Sequence, residues 1–100
     1  MLRILWEYRV REEKRAEFER RYARTGDWAA LFQKSPAYRG TTLLRDLADP
    51  GRYLTLDAWD DDASFHKFKQ DFAAQYDALD RTCAALTEEE RCLGHFASVG

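Results

Sequence analysis

The 100-residue chain contains few of the residues from which common chemical motifs are built. It has two cysteines, two histidines, two prolines and five glycines. Cys83 and Cys92 lack the CxxC spacing of metal and redox sites, so we expect two free thiols in a reducing compartment, with a disulfide as the alternative. No GxGxxG, P-loop or GxSxG sequence is present, so nucleotide binding and triad hydrolysis have no support.

The chain also lacks an excess of charge and a long apolar run. Its net charge is -2, whereas a general nucleic-acid or anionic-membrane binder needs a basic excess, so we expect neither partner. No apolar run approaches the roughly 20 residues of a transmembrane helix. The amino-terminal MLRILWEYRV carries charges in a strand pattern, unlike a signal peptide, and a cytoplasmic protein is expected.

The composition is that of a globular protein, with 45% hydrophobic and 34% charged residues, and its length predicts a single domain over residues 1–100. Periodicity predicts strands over residues 2–10, 38–47, 52–60 and 92–99, and helices over residues 11–24, 28–34 and 60–86. Gly26 is predicted to end the first helix and Asp27 to cap the second. Thr87 and Glu90 have the spacing of a capping box before the last strand.

The strand over residues 52–60, RYLTLDAWD, has two different faces. One face carries a hydroxyl, a carboxylate and two aromatic rings, and the other is aliphatic. Both faces therefore need to be covered, and chemistry is expected on the mixed one. The mixed face consists of Tyr53, Thr55, Asp57 and Trp59, and the aliphatic face of Leu54, Leu56 and Ala58.

The order of the predicted elements indicates an α+β fold. With right-handed crossovers it gives a ferredoxin-like, four-stranded antiparallel sheet with helices on one face. The helices leave Leu5, Leu54 and Leu56 uncovered on the other face, and each exposed leucine would forgo on the order of 1.5–3 kcal/mol of burial. A second copy of the sheet is the simplest cover, so the sequence predicts a symmetric homodimer.

Several segments together resemble the antibiotic biosynthesis monooxygenase family. They are ILWEYRV, EFERRY, GDW with LF, GTTLLRD, DPGRYLTLDAWD and EEERCLGHF. The resemblance implies a ferredoxin-like protomer, a dimeric α+β barrel and a pocket between the helices and the sheet. It also implies two kinds of reaction, since some relatives oxygenate polycyclic hydroquinone-like substrates without metal or flavin and others cleave heme.

Asp57 is the candidate proton acceptor. A carboxylate inside a half-buried strand must either be paired or have its pKa raised by desolvation. A raised pKa suits a base that removes a phenolic proton. The alternative is a structural role, in a pair with Arg45 or a hydrogen bond to Tyr8, because structural pairs also perturb pKa values.

The resemblance implies that Trp59 lines the pocket, and a core tryptophan is the alternative. Trp6 is expected on the same face as Trp59 if their strands are neighbours. Heme-degrading relatives carry an asparagine near position 6, so Trp6 argues against heme. They bind iron through a histidine whose place is taken here by Lys69.

His66 lies three residues before that place and is a candidate proton acceptor, with an exposed or merely packed histidine as the alternative. His95 lies on the last strand and offers no second ligand at helical spacing, so no bound metal or other cofactor is predicted.

Two functions are compatible with these residues. The first is a cofactor-independent monooxygenase acting on a small aromatic substrate, oriented by Tyr53, Tyr76 or Arg45. The second is a non-catalytic module that binds a small ligand or a partner, with heme binding or degradation as a distant third. A cavity smaller than the roughly 300 Å³ of ordinary ligand sites would favour the module.

Overall fold

The structure is a computed structural model that describes all residues 1–100. Its regular elements are β1 (Leu2–Val10), a 3-10 turn (Glu12–Lys14), α1 (Arg15–Tyr22), α2 (Asp27–Phe32), β2 (Tyr38–Arg45), β3 (Arg52–Trp59), α3 (Asp62–Asp71), α4 (Ala73–Cys83), a second 3-10 turn (Ala84–Leu86) and β4 (Thr87–Ala97). None of the helices combines the length and the apolar character needed to cross a bilayer.

The four strands form one antiparallel sheet in the order β2-β3-β1-β4. β1 and β3 are the central pair, and their register places Trp6 opposite Thr55 and Leu2 opposite Trp59. In the turn between β2 and β3, the Asp49 carbonyl accepts a hydrogen bond from the Arg52 N–H at 3.0 Å. The predicted ferredoxin-like α+β fold is therefore confirmed.

The two faces of β3 separate as its alternation predicts. Tyr53 and Trp59 are 1% and 0% exposed on the side covered by the helices. Leu54 and Leu56 are half-buried on the side that no helix covers. The aromatic face of the central strand consequently lies inside the protomer, and the aliphatic face lies on its surface.

A bulge in β2 changes which side chains point toward the helices. The register of β2 against β3 shifts between Tyr38 and Gly40, and Gly40 adopts φ +125, where a side chain would be strained. The shift pairs Thr41 with Asp57, so Thr41 turns inward. Gly40 therefore forms part of a β-bulge.

The prediction of a single long helix over residues 60–86 is wrong in one respect, because the helix is interrupted at Phe72. That residue has φ -120 and ψ 29, which ends α3 and starts α4. No glycine or proline marks the break. Phe72 is half-buried and packs against the hydrophobic core of the protomer, so tertiary packing accompanies a break that the local helical pattern does not contain.

Two predicted caps are also wrong. α1 ends at Tyr22, and Gly26 is the residue preceding α2 rather than the end of α1. Asp27 does not cap α2; its carboxylate accepts a hydrogen bond from Arg21 at 2.6 Å. The capping box predicted at Thr87 and Glu90 is wrong as well. Thr87 opens β4 opposite Val10, because pairing with β1 extends the strand well before its predicted start.

Candidate functional site

A cavity with aromatic walls lies between the sheet and the helices. Its volume is about 40 Å³, and one side of it opens to solvent. Ordinary ligand sites have volumes of roughly 300 Å³ or more, so the cavity as it stands has room for water but not for an aromatic ligand. It is lined by Trp6, Tyr8, Tyr22, Trp28, Phe32, Thr41, Thr55, Asp57, Tyr76, Asp80 and Glu90.

Asp57 is the polar centre of this cavity and is only 9% exposed. Its Oδ1 accepts a hydrogen bond from the Thr41 hydroxyl at 2.6 Å, while Oδ2 has no protein partner. The Tyr38 hydroxyl lies 2.5 Å from Thr41 Oγ1. Since Thr41 has one hydroxyl proton and gives it to Asp57, Tyr38 must donate to Thr41, which makes a chain of two hydrogen bonds ending on the carboxylate.

Burial raises the pKa of Asp57 to about 6, and the hydrogen bond from Thr41 opposes that rise. No arginine, lysine or histidine forms an ion pair with it. Arg45 instead lies 3.5 Å from Glu19, and the Tyr8 hydroxyl lies 3.2 Å from Thr55 Oγ1. Neither structural partner expected for Asp57 is therefore present.

The remaining titratable groups of the cavity are phenols and carboxylic acids. Burial raises the pKa of Tyr76 to about 12 and holds the pKa of Tyr8 well above its usual range, so both are neutral hydrogen-bonding groups. Partial burial and the nearby Asp80 raise the pKa of Glu90. No cationic side chain lines the cavity. Its charges are all acidic, which favours a neutral ligand over an anionic one.

The geometry can be compared with known proteins. The family model described as antibiotic biosynthesis monooxygenase matches residues 1–75 of the chain. The chain belongs to the antibiotic biosynthesis monooxygenase family. No protein of curated function matches it significantly.

Solved structures have the same fold. SnoaB, a cofactor-independent oxygenase from Streptomyces nogalater, is 27% identical, with a TM-score of 0.70 over 99% of this chain and 93% of its own. A structure from Bordetella bronchiseptica that bears the family's name is 20% identical, with a TM-score of 0.78 over 98% of this chain and 96% of its own. One from Nitrosomonas europaea, also bearing that name, is 16% identical, with a TM-score of 0.75 over the full length of both chains.

Of the site residues predicted for this family member, the structure brings Asp57, Trp6 and Tyr76 together around the cavity. Trp59 lies outside it, 0% exposed in the aromatic core. Its ring packs 5.4 Å from that of Phe32, which does line the cavity. Trp59 is thus one layer behind the wall it was expected to form.

The other predicted residues lie elsewhere. The Tyr53 hydroxyl donates to Glu19 at 2.5 Å beneath α1, and Arg45 is exposed beside the same carboxylate. His66 is exposed on α3, where its Nε2 lies 3.1 Å from Asp62. None of these three residues lines the cavity, so their positions lend no support to the roles expected for them.

Several cavity residues were not predicted as functional. Thr41 reaches Asp57 only because of the Gly40 bulge, whose effect on side-chain direction cannot be read from alternation. Trp28 and Phe32 are buried residues of the short helix α2, and both belong to the wall of the cavity. Asp80 and Glu90 come from α4 and β4, which only the tertiary fold brings together.

Proposed function

We propose that this family member is a cofactor-independent monooxygenase whose substrate is a small, neutral, hydroquinone-like aromatic molecule. The observation that carries the proposal is Asp57, a buried carboxylate with no cationic partner in an aromatic-walled cavity. With a pKa of about 6, it is mostly ionised at neutral pH and remains basic enough to accept a phenolic proton. The 27% identity to SnoaB, named as a cofactor-independent oxygenase, supports the same reaction class.

In the proposed reaction, the free Oδ2 of Asp57 takes a proton from the bound substrate. The resulting electron-rich anion gives an electron to molecular oxygen, and the two radicals combine as a peroxide. For an anthrone-type substrate, loss of water from that peroxide converts a CH₂ group and O₂ into a carbonyl group and water, so no external reductant is consumed. Thr41 holds Oδ1 and so leaves Oδ2 for the substrate.

The walls suit this substrate class. Trp6 and Trp28 offer faces for an aromatic ring, and Tyr8 and Tyr76 offer neutral hydroxyl groups for its oxygen atoms. The acidic groups near the cavity disfavour binding of a phenolate from solution. The substrate would therefore bind as the neutral phenol and lose its proton only beside Asp57.

A substrate of this size requires the cavity to widen from its volume of about 40 Å³. The wall contributed by α4 is the best candidate to move, because Cys83 is the only fully buried residue of that helix. Tyr76 is half-buried on α4, just after the interruption at Phe72. We propose that substrate binding displaces Tyr76 outward and opens the space in front of Asp57.

We further propose that the protein acts as a homodimer formed through the helix-free face of the sheet. Two apolar side chains there remain largely uncovered in the protomer: Leu44 is 47% and Phe96 is 48% exposed. They share that face with the half-buried Leu54 and Leu56. Glu7 accepts hydrogen bonds from Arg52 and Arg91 and so adds a polar network to the same face.

The small cavity favours a second candidate, a module that binds a ligand or partner without chemistry. The two candidates differ in turnover. In an oxygen-electrode assay with hydroquinones and anthrones, in the presence of a chelator and without flavin, the proposed enzyme consumes oxygen above the uncatalysed rate. Asp57→Asn should lower kcat by about 10²–10⁴-fold, the usual contribution of a general base.

Asp77→Asn, on the exposed side of α4, is the matched control and should retain the rate. Quenching of tryptophan fluorescence by the same compounds measures binding separately. Binding without turnover would replace the enzyme with the module, and turnover that survives Asp57→Asn would remove Asp57 as the base.

A further inference from the structure

Two histidines and one aspartate that are distant in the sequence meet at the start of α3. The Asp62 carboxylate lies between them, with Oδ2 at 3.1 Å from His66 Nε2 and Oδ1 at 2.8 Å from His95 Nδ1. One potential ligand atom from each residue lies within 4.8 Å of the others. His95 offers no second ligand at helical spacing in the sequence, but the fold brings it beside His66 from a different element.

The fold holds these side chains in one place. Asp62 and His66 are separated by one helical turn on α3, and His95 comes from β4, opposite Ile4 of β1. The imidazole rings are nearly parallel, with an angle of 24° and centroids 6.1 Å apart. The buried Phe65 contacts both, at 5.6 Å from His95 and 5.8 Å from His66. A fixed aromatic residue thus supports both imidazoles from below.

We propose that Asp62, His66 and His95 form a binding site for one divalent transition-metal ion of the zinc type. Two imidazoles and a carboxylate suit Zn²⁺, Co²⁺ or Ni²⁺, whereas Mg²⁺ and Ca²⁺ prefer oxygen ligands. Ligands about 2.0–2.1 Å from a tetrahedral ion lie roughly 3.3 Å from one another. The two short separations involve different oxygen atoms of Asp62, and one ligand atom from each of the three residues lies within 4.8 Å of the others. Rotation of these exposed side chains would therefore have to bring the three ligand atoms closer together around the ion.

The site has an open side and is separate from the cavity. All three residues are exposed, and none of them lines the cavity around Asp57. Three protein ligands leave a coordination position for water. The ion would join the first turn of α3 to β4, which is an edge strand paired only with β1. Its expected effect is to stabilise this junction, independently of any reaction in the cavity.

The test uses the full chain without an affinity tag, stripped with a chelator. Calorimetric titration with Zn²⁺ should show one ion per chain, and Co²⁺ should give the visible absorption bands of a nitrogen- and oxygen-ligated ion. Saturating Zn²⁺ should raise Tm by about 4 °C or more, whereas the same concentration of Mg²⁺ should not. His66→Gln and His95→Gln should each weaken Zn²⁺ binding at least tenfold while leaving the circular dichroism spectrum unchanged.

Two variants serve as matched controls. Asp71→Asn removes an exposed carboxylate of the same helix, and Cys92→Ser removes the exposed thiol of the same strand. Both should bind Zn²⁺ like the unchanged chain. The proposal is overturned if Zn²⁺ does not bind, if binding persists in both histidine variants, or if it is lost in Cys92→Ser.

Discussion

Replacement of Asp57 by asparagine tests the electrostatics of the cavity without requiring a substrate. The pKa of this buried carboxyl is raised from 3.8 to about 6, so the folded protein binds the proton more tightly than the unfolded chain does. Ionisation of Asp57 therefore destabilises the fold as the pH rises from about 4 to about 6, and the penalty is absent only well below pH 4. At about 1.4 kcal/mol for each tenfold change in proton affinity, the full penalty is about 3 kcal/mol.

Asparagine cannot ionise, so its effect on stability should depend on pH. The free energy of unfolding of Asp57→Asn, relative to the unchanged chain, should rise by about 2.4 kcal/mol between pH 4 and pH 7, because a small part of the penalty is already present at pH 4. Any cost of the amide group itself is the same at both pH values and cancels in this difference. Urea denaturation at several pH values, with the exposed Asp77→Asn as control, measures the slope.

The outcome can refute the reasoning in two ways. If the difference in the free energy of unfolding between the two chains did not change from pH 4 to pH 7, burial would not raise the pKa of Asp57. A slope of the opposite sign would mean that the ionised carboxylate has a stabilising cationic partner, and the proton-acceptor role would lose its basis.

Three further predictions concern the pocket, the surface and the backbone. The kcat/KM of the proposed oxygenation should fall tenfold per pH unit below about pH 6, as Asp57 becomes protonated, which a pH–rate profile with an anthrone checks. Leu56→Glu should convert the proposed dimer to a monomer in light scattering, whereas the exposed Leu47→Glu should not. Gly26→Ala should lower the free energy of unfolding by about 1–3 kcal/mol, because the added Cβ would lie 2.4 Å from the Arg21 carbonyl oxygen. Thermal denaturation, with Thr25→Ala as the control variant, measures this loss.

Much of the fold could be predicted because it depends on local periodicity. The bounds of β1 agree with the predicted residues 2–10, and the β3 pattern correctly placed Tyr53 and Trp59 on the same face of the strand. The break at Phe72 and the early start of β4 at Thr87 were missed. Both arise from packing and strand pairing with distant segments, which a local pattern does not contain.

The candidate site was predicted only in part. Asp57 was identified because a carboxylate is unusual on the aromatic face of a strand, whichever element covers that face. Trp59 was assigned to the wall but lies behind Phe32, since alternation gives the face of a strand and not the distance from a cavity. Thr41 was missed because one extra residue in β2 reversed its direction.

The sequence by itself determined the order of strands and helices, the two unlike faces of β3 and the carboxylate on its aromatic side, because each of these is a property of neighbouring residues. Only the tertiary structure decided that Thr41 bonds to Asp57, that Trp6 rather than Trp59 lines the cavity, and that His66 lies near His95. These are contacts between residues far apart in the chain. They depend on strand register, a bulge and the path of the helices, which are set when the whole chain packs.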